Sequence, residues 1–466
     1  NFMKLTFFGA NRTTTGSKHL LEVNGQRVLL ECGMFQGRRD KTVDYNTRLP
    51  FDPKTVGVML LSHAHIDHTG LIPVLCRDGF AGKIHCTDAT ADLCRIMLMD
   101  SAHIQEQDAL FVSKIRARHG QPPVAPLYTQ ADASKSLQHL ESVRYNQPVR
   151  VANGVTATWL DAGHILGSAM IVLDIEEGSR KFRFAFTGDL GRGNNDILRD
   201  PDHPQNVDFL LTESTYGNRV HEPLDDVNER VCAIINRAVE RNGKVVIPSF
   251  AVGRTQQLLY TLFELTKTRC IPVLPIYVDS PLSLSATEVF RRHPEGFNKK
   301  FADVMLNKEN PFRVDNLTYI QSVEESIALN DLKKPCIILS ASGMAEAGRI
   351  RHHIKNTVGD KRNTILIVGW CAQHTLGARL ASGDKQVNIF GEPHTVHAEV
   401  ETINAFSGHA DKNELRAWVE QVTGSLRGSF VVHGEEEPAN AFATTLRELH
   451  PQSDVRVPAF GDSVEL

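Results

Sequence analysis

Short apolar bursts punctuate the first part of the chain. "KLTFFG", "HLLEVN" and "RVLLECG" alternate or run apolar over a few residues and close on Gly or Asn, which predicts strands. "GLIPVLCRDG" and "ATADLCRIMLMDSAH" carry their apolar residues at helical spacing. The polar stretch "IQEQDALFVSKIRARHGQPPVAP" ends Pro-rich and is expected to form a flexible arm or lid. Strand-like segments return at "VTATWLDAG", "AMIVLDI", "FRFAFTGD" and "DFLLTES". After about residue 217 the texture changes. "DDVNERVCAIINRAVERNG" is an amphipathic helix, "KVVIPSF" a strand, "GRTQQLLYTLFELTK" a helix and "IPVLPIYVDS" a strand, followed by "PCIILSAS", a helix from "AEAGRIRHHI", and "TILIVGW". Strand and helix in alternation predict a parallel, doubly wound sheet. From about 396 come "HAEVETINAFSGHAD", the helix "KNELRAWVEQV", the strand "GSFVVHGE" and the helix "PANAFATTLRELH". The plan that follows is a β-rich α/β domain from residues 3–216 and 396–466, with an α/β module inserted at 217–395.

Composition narrows the class. With 466 residues, 41% hydrophobic and 23% charged, the chain reads as a soluble globular protein whose core needs no disulfide staples. The eight cysteines are scattered without a CxxC pair and read as reduced thiols of a cytoplasmic protein. No apolar run reaches membrane-spanning length, so no membrane partner is expected. Asn1 and Phe2 ahead of Met3 read as an expression remnant, with no signal peptide. The net charge of -4 means that a nucleic-acid partner must be held by a local basic patch.

The 20 histidines matter through their clustering. "LLSHAHIDHTG" places His63, His65, Asp67 and His68 directly after the apolar run "VGVML". On an extended strand end, His63 and His65 point the same way, while Asp67 and His68 follow the turn and face a second point. One segment can thus serve two adjacent cations, and it needs partners from elsewhere to close either coordination sphere. His164 in "DAGHILGS", Asp189 in "FTGDLGR" and His433 in "FVVHGEEE" are the strand-end candidates. Taken singly, each has an ordinary reading as a loop histidine, a turn aspartate or a strand-end histidine. Beside HxHxDH they point to ligands. Imidazole and carboxylate without thiolate suit Zn2+ and also admit Mn2+ or Fe.

The order HxHxDH at 63–68, GH at 164, GD at 189 and VHGE at 433 resembles the metallo-β-lactamase fold. "LLTESTYGNR", "FSGHAD" and "VVHGE" make the chain similar to the β-CASP branch, the RNA-processing nucleases related to the mRNA 3′-end cleavage endonuclease and to RNase J. "PSFAVGRTQQLL", "YVDSPLS", "LSASGM" with "AGRIRHH", and "HTLGARL" extend the likeness through the insert. The resemblance implies an α/β fold: a metallo-β-lactamase αββα sandwich with an inserted β-CASP domain built on a parallel sheet flanked by helices. It implies two Zn2+ per chain, one on His63, His65 and His164, the other on Asp67, His68 and His433, with Asp189 between them. Two such metals about 3.5–4 Å apart share a hydroxide and clamp a phosphodiester.

The resemblance also pairs His409 of "FSGHAD", as general acid, with Glu213 of "TEST", as the carboxylate that holds its ring. By spacing alone, His409 is equally a histidine at a helix start, with Asp411 capping the helix. The small residues of "LSASGM", between a strand and a helix, make Ser340, Ser342 and Gly343 candidate phosphate contacts, assisted by Arg349, Arg351 and Arg254. A plain β–α loop beside a solvated basic helix is the alternative. With ligands on the core and the cradle on the insert, substrate is expected to thread between them.

Two residues depart from the family pattern: Glu31, where Asp is usual, and His374 in "CAQHTLG", where Gly is expected. No archaeal-type N-terminal RNA-binding domain and no added C-terminal domain is visible, which reads as a minimal bacterial form. The function implied is a metal-dependent ribonuclease hydrolysing RNA phosphodiester bonds, with endonuclease action first and 5′→3′ exonuclease action second. Single-stranded RNA is the favoured partner, and a homodimer is allowed. RNA is preferred over DNA because the RNA branch carries His in the VHGE strand. A thioesterase-type hydrolase and a catalytically silent RNA-binding scaffold are the rival readings.

Overall fold

Strand Val155–Asp161 buries every second residue, Val155, Ala157, Trp159 and Asp161, as a strand with one face on a core must. The structure is a computed structural model, and it describes residues 3–36, 45–223, 226–307, 309–369, 371 and 374–466. Asn1, Phe2, Asp225 of the expected insert helix, Trp370 of "TILIVGW", and Ala372 and Gln373 of "CAQHTLG" lie outside the described residues. Two compact units emerge, residues 1–220 with 409–466, and residues 221–408.

The first unit holds two seven-stranded sheets. One runs in the order Ser463–Glu465, Lys4–Phe7, His19–Val23, Gln26–Leu30, Val58–Leu60, Lys83–Thr87 and Leu140–Val143. The other runs Asp454–Arg456, Gly428–Val431, Phe209–Thr212, Arg180–Phe186, Ala169–Glu177, Val155–Asp161 and Val149–Ala152. Leu5, Phe7 and Leu30 from one sheet share a core with Trp159, Ile171, Phe184 and Phe430 from the other. Helices Lys412–Glu420 and Glu436–Leu449 cover the second sheet's outer face, through Leu415, Trp418, Phe442 and Leu446 against Met170, Ala185 and Leu210. Helix Asp88–Ala117 packs on strands Lys83–Thr87 and Leu140–Val143. Helix, sheet, sheet and helix form the αββα sandwich. Asp411 is the helix cap anticipated, accepting from the backbone N–H groups of Asn413 and Glu414.

The second unit is built on a six-stranded sheet, ordered Leu317–Tyr319, Ile276–Asp279, Ile337–Ser340, Val245–Pro248, Thr364–Val368 and Glu399–Ile403. Every pairing in it is parallel. Val245–Pro248 and Ile337–Ser340 are buried at every residue, as central strands covered on both faces should be. The insert outruns its expected end at 395, because Glu399–Ile403 pairs with Thr364–Val368. Apolar alternation in "HAEVETI" identifies a strand and cannot say which sheet takes it.

Three further expectations need correction. The stretch foreseen as a flexible arm is helical as far as Ala117, since Gly and Pro enter only at Gly120 and Pro122. The insert's basic helix begins at Ile350, after Gly348 adopts φ +76°. The cysteines are not all reduced: Cys232, in helix Val227–Glu240, is bonded to Cys270 with Cα atoms 5.9 Å apart. Those partners are 38 residues apart in sequence, a proximity that no local spacing reports. No helix among the described residues is long and apolar enough to cross a membrane.

One buried carboxylate organises the insert's sheet. Asp279 is 1% exposed and accepts from Arg349 Nη1 at 2.7 Å, His353 Nε2 at 2.6 Å and Ser326 Oγ at 2.5 Å. Burial pushes its pKa up, but the hydrogen bonds from His353, Ser326 and Arg349 outweigh that and hold it below the usual carboxylate range. Removing one side of a buried ion pair strands the other. Asp279→Ala and Arg349→Ala should therefore each destabilise the protein by about 3–5 kcal/mol in a denaturant titration. The carboxylate's contribution is fully present above its unfolded pKa, so wild-type stability should fall as pH drops below about 4, and this component should be absent in Asp279→Ala.

Candidate metal centre

His63 and His65 lie on extended chain beyond strand Val58–Leu60, and Asp67 and His68 on the short helical turn Ile66–Thr69. His164 follows strand Val155–Asp161, Asp189 follows Arg180–Phe186, and His433 follows Gly428–Val431. Their loops are tied to one another by backbone bonds: Ala169 N to Ser62 O at 2.8 Å, Gly191 N to Ala162 O at 2.8 Å, and Ser214 N to His433 O at 3.1 Å. Glycine permits the closest approaches. A Cβ at Gly33 would stand 1.6 Å from Asp67 O, and one at Gly191 would stand 1.9 Å from Gly163 O.

The side chains converge in two groups. In the first, His65 Nδ1 lies 3.2 Å from His63 Nε2 and 3.2 Å from His164 Nε2. In the second, His433 Nε2 lies 3.1 Å from His68 Nε2 and 3.2 Å from Asp67 Oδ2. Asp189 Oδ2 stands between them, 3.5 Å from His63 Nε2, 3.6 Å from His164 Nε2 and 3.4 Å from His68 Nε2.

This donor set fits metal ions. A single N–H cannot serve two acceptors equally, so His65 Nδ1 flanked by two imidazole nitrogens describes converging lone pairs better than hydrogen bonds. A tetrahedral cation with metal–nitrogen bonds of about 2.0–2.1 Å holds its ligand atoms about 3.3 Å apart, the spacing seen here. Asp189 Oδ1 is buried and makes no hydrogen bond, with His433 Nδ1 3.3 Å away. Burial, then the charge of His68, pushes His63 well below the ordinary imidazole range, and burial takes His65 down to about 4. Neutral imidazole is the ligating form. His68 goes the other way: burial opposes its charge, but Asp189 and Asp67 outweigh it. A bound cation would take over that role from the proton.

A second layer aims the rings. Glu31, fully buried at φ +64°, accepts from His68 Nδ1 at 2.5 Å, so Nε2 faces the centre. Its two oxygens also take Ser62 N at 2.7 Å and Ser62 Oγ at 2.8 Å, and Ser62 Oγ lies 2.9 Å from His63 Nδ1. Thr215 Oγ1 lies 3.1 Å from His433 Nδ1, and Ser168 Oγ accepts from His164 N at 3.0 Å. Sequence reasoning noticed Glu31 as a departure and missed Thr215 and Ser168. The available signal was their adjacency to Glu213 in "TEST" and to His164 in "GHILGS".

His409 stands beside the cluster. Its Nδ1 is 3.1 Å from Glu213 Oε1 and 3.9 Å from Asp189 Oδ2. Leu190 N and Thr215 N donate to Glu213 at 2.6 and 3.1 Å, which fixes the carboxylate beneath the ring. Burial disfavours the imidazolium, but Glu213 and then Asp189 outweigh it and push His409 up to about 9.

The insert's candidates are otherwise engaged. Ser340 is buried, and its hydroxyl donates to Asp279 O at 2.9 Å. Arg349 is held by Asp279 and by Gln321 O. Arg254 donates to Val368 O at 2.7 Å and to Phe406 O at 3.1 Å while lying over the Phe250 ring. These three side chains make framework contacts here, to a buried carboxylate and to backbone carbonyls. Gly343 is required by packing: a Cβ there would stand 2.9 Å from the Phe250 ring. Ser342 is half-buried. His374, which replaces an expected Gly, nevertheless adopts φ +72°.

A two-sheet sandwich with clustered His and Asp donors beyond its strand ends is the architecture of a metallo-hydrolase. The description "Metallo-beta-lactamase superfamily domain" matches residues 20–185, "Beta-Casp domain" residues 255–380, and "Zn-dependent metallo-hydrolase RNA specificity domain" residues 393–458. The chain is 36% identical over 462 residues to Ribonuclease TTHA0252 of Thermus thermophilus, covering 99% of this chain and 100% of that protein. It is 30% identical to an RNase J-like protein of Methanocaldococcus jannaschii, with 94% and 93% of the two chains covered. It is also 30% identical to the transcription termination factor FttA of that organism, covering 96% of this chain and 69% of the other. A solved structure of a protein of unknown function from Enterococcus faecalis shares the fold at a TM-score of 0.58 and 12% identity, with 100% of each chain covered. The chain belongs to the metallo-β-lactamase/β-CASP nuclease family.

Outer-layer ligands to metal-binding histidines typically carry a 10- to 100-fold effect on metal affinity. Glu31→Ala should lower affinity by about that factor in competition with a chelator, since it frees His68 and, through Ser62, His63. Ser62→Ala should have a smaller effect, because it leaves the direct contact to His68 intact.

Proposed function

We propose that this chain is a metal-dependent ribonuclease that cuts RNA internally, leaving 5′-phosphate and 3′-hydroxyl ends, with 5′→3′ exonuclease action as a second mode. The observation that carries the reading is Asp189 Oδ2 within 3.6 Å of donors from both ligand groups, with the His409–Glu213 pair beside it. The names of two relatives, a ribonuclease and an RNase J-like protein, support RNA as substrate. His63, His65 and His164 would hold one Zn2+, Asp67, His68 and His433 a second, with Asp189 shared. When bound, these ions supply Lewis acidity and activation of the nucleophile. Glu31, Ser62 and Thr215 keep the imidazole rings aimed, so no reorganisation accompanies the reaction. Glu213 holds Nδ1 of His409, which turns Nε2 into the proton-donating atom. His409 gives that proton to the departing ribose oxygen, and Glu213 steadies the imidazolium beforehand. Ser342 and the backbone of Gly343 are the phosphate contacts that this reading retains on the insert.

Metal-supplemented protein should contain two metal ions per chain by elemental analysis, falling in Asp189→Ala; metal-free protein of native fold would contradict the assignment. A circular single-stranded RNA should be opened by the loaded enzyme. An intact circle beside a degraded linear RNA would leave only the exonuclease mode, and no cleavage of either would favour a silent scaffold. His409→Ala should slow RNA cleavage by roughly 10²–10⁴ while sparing hydrolysis of bis(p-nitrophenyl) phosphate, whose leaving group departs without a proton. His433→Ala should depress both rates and lose metal. Loss of metal in His409→Ala would place that residue among the ligands.

A further inference from the structure

The hairpin of strands Gln386–Ile389 and Glu392–Thr395 sits in the insert, outside the metal centre. Ile389 pairs with Glu392, so its loop is the two residues Phe390 and Gly391, at φ +54° and +82°. Both central positions of such a turn require positive φ, and the first is normally Asn, Asp or Gly. A phenylalanine there is sterically disfavoured. Burial does not compensate: Val387 and Ile389 are buried, whereas Phe390 is 41% exposed. The ring is instead surrounded by cations and imidazole from helix Ile350–Thr357. Arg351 lies over it at 4.3 Å, Lys355 at 6.0 Å, and the His352 ring centroid is 4.5 Å away. Lys355 is paired with Glu392 at 2.8 Å, while Arg351, over the ring, makes no ion pair among the described residues.

We propose that Phe390 and Arg351 form an accessory site for single-stranded RNA, in which a nucleobase stacks on the phenyl ring and the neighbouring phosphate meets the Arg351 guanidinium. A part-exposed aromatic ring set among cations is the combination that sequence-tolerant single-strand binding uses. The chemistry suits a polyanion with flat bases, and the Arg351 guanidinium, in no ion pair among the described residues, supplies the charge complement. The site rests on the RNA reading above and extends it to a surface that the cleavage chemistry does not need.

The test is binding of a fluorescent, phosphorothioate-linked single-stranded RNA of about 12 nucleotides to the full chain. Phe390→Ala and Phe390→Asn should each weaken binding by roughly 5- to 100-fold, and Phe390→Trp should retain it. Arg351→Gln should weaken binding and lower the salt slope by about 0.7. Phe390→Asn should also raise the melting temperature, since Asn suits the turn, so affinity and stability move in opposite directions. Hydrolysis of bis(p-nitrophenyl) phosphate should stay at the wild-type rate in every variant. Wild-type affinity in both Phe390→Ala and Phe390→Asn would overturn the site, as would a parallel loss of the small-substrate activity. A wild-type chain that binds no RNA would instead sink the RNA reading itself, a failure visible before any variant is compared.

Discussion

Asp189 is a carboxylate removed from water and surrounded by imidazoles, and the first unit is arranged around it. Burial alone would neutralise it, yet His433, His68 and His63 hold it well below the usual carboxylate range. That balance requires loops from distant parts of the chain to meet at one carboxylate. The backbone bonds among the 62, 162, 191 and 214 regions make the meeting reproducible. The sandwich behind them is a broad apolar wedge on which those loops rest, with Trp159, itself core, donating Nε1 to Leu61 O at 3.1 Å just ahead of the ligand segment.

How much of this was legible in sequence depended on range. His63, His65, Asp67 and His68 declared themselves because six adjacent positions fix their own geometry. His164, Asp189 and His433 were readable as polar residues ending apolar strands, and their grouping came from the order of motifs. The parallel sheet of the insert followed from alternating periodicities. Contacts made across long separations stayed hidden. Nothing near Ser340 or Arg349 reveals that Asp279 will claim both. Nothing near Cys232 names Cys270. The seating of Glu399–Ile403 in the insert sheet depends on a neighbour, Thr364–Val368, that alternation in one strand cannot identify.

The replacements at Glu31 and His374 show how the fold absorbs departures differently. Glu31 has one methylene more than the usual residue, sits at φ +64°, and bonds Ser62 and His68 through its two oxygens. His374 keeps the left-handed turn that glycine would fill at lower cost. In one case the side chain preserves a hydrogen-bond pattern, and in the other the backbone preserves a shape.

The parallel pairing of Gly428–Val431 with Phe209–Thr212 carries a consequence for timing. His433 follows the later strand, so the second ligand group is incomplete until that strand docks beside one made far earlier. The edge strand Ser463–Glu465 likewise closes on Lys4–Phe7, joining the last part of the chain to the first. A polypeptide still on the ribosome therefore holds HxHxDH, His164 and Asp189 long before it holds a finished centre. Synthesis order ties the finished donor set to a late event: the growing chain carries an incomplete set until His433 has been made and its strand has docked.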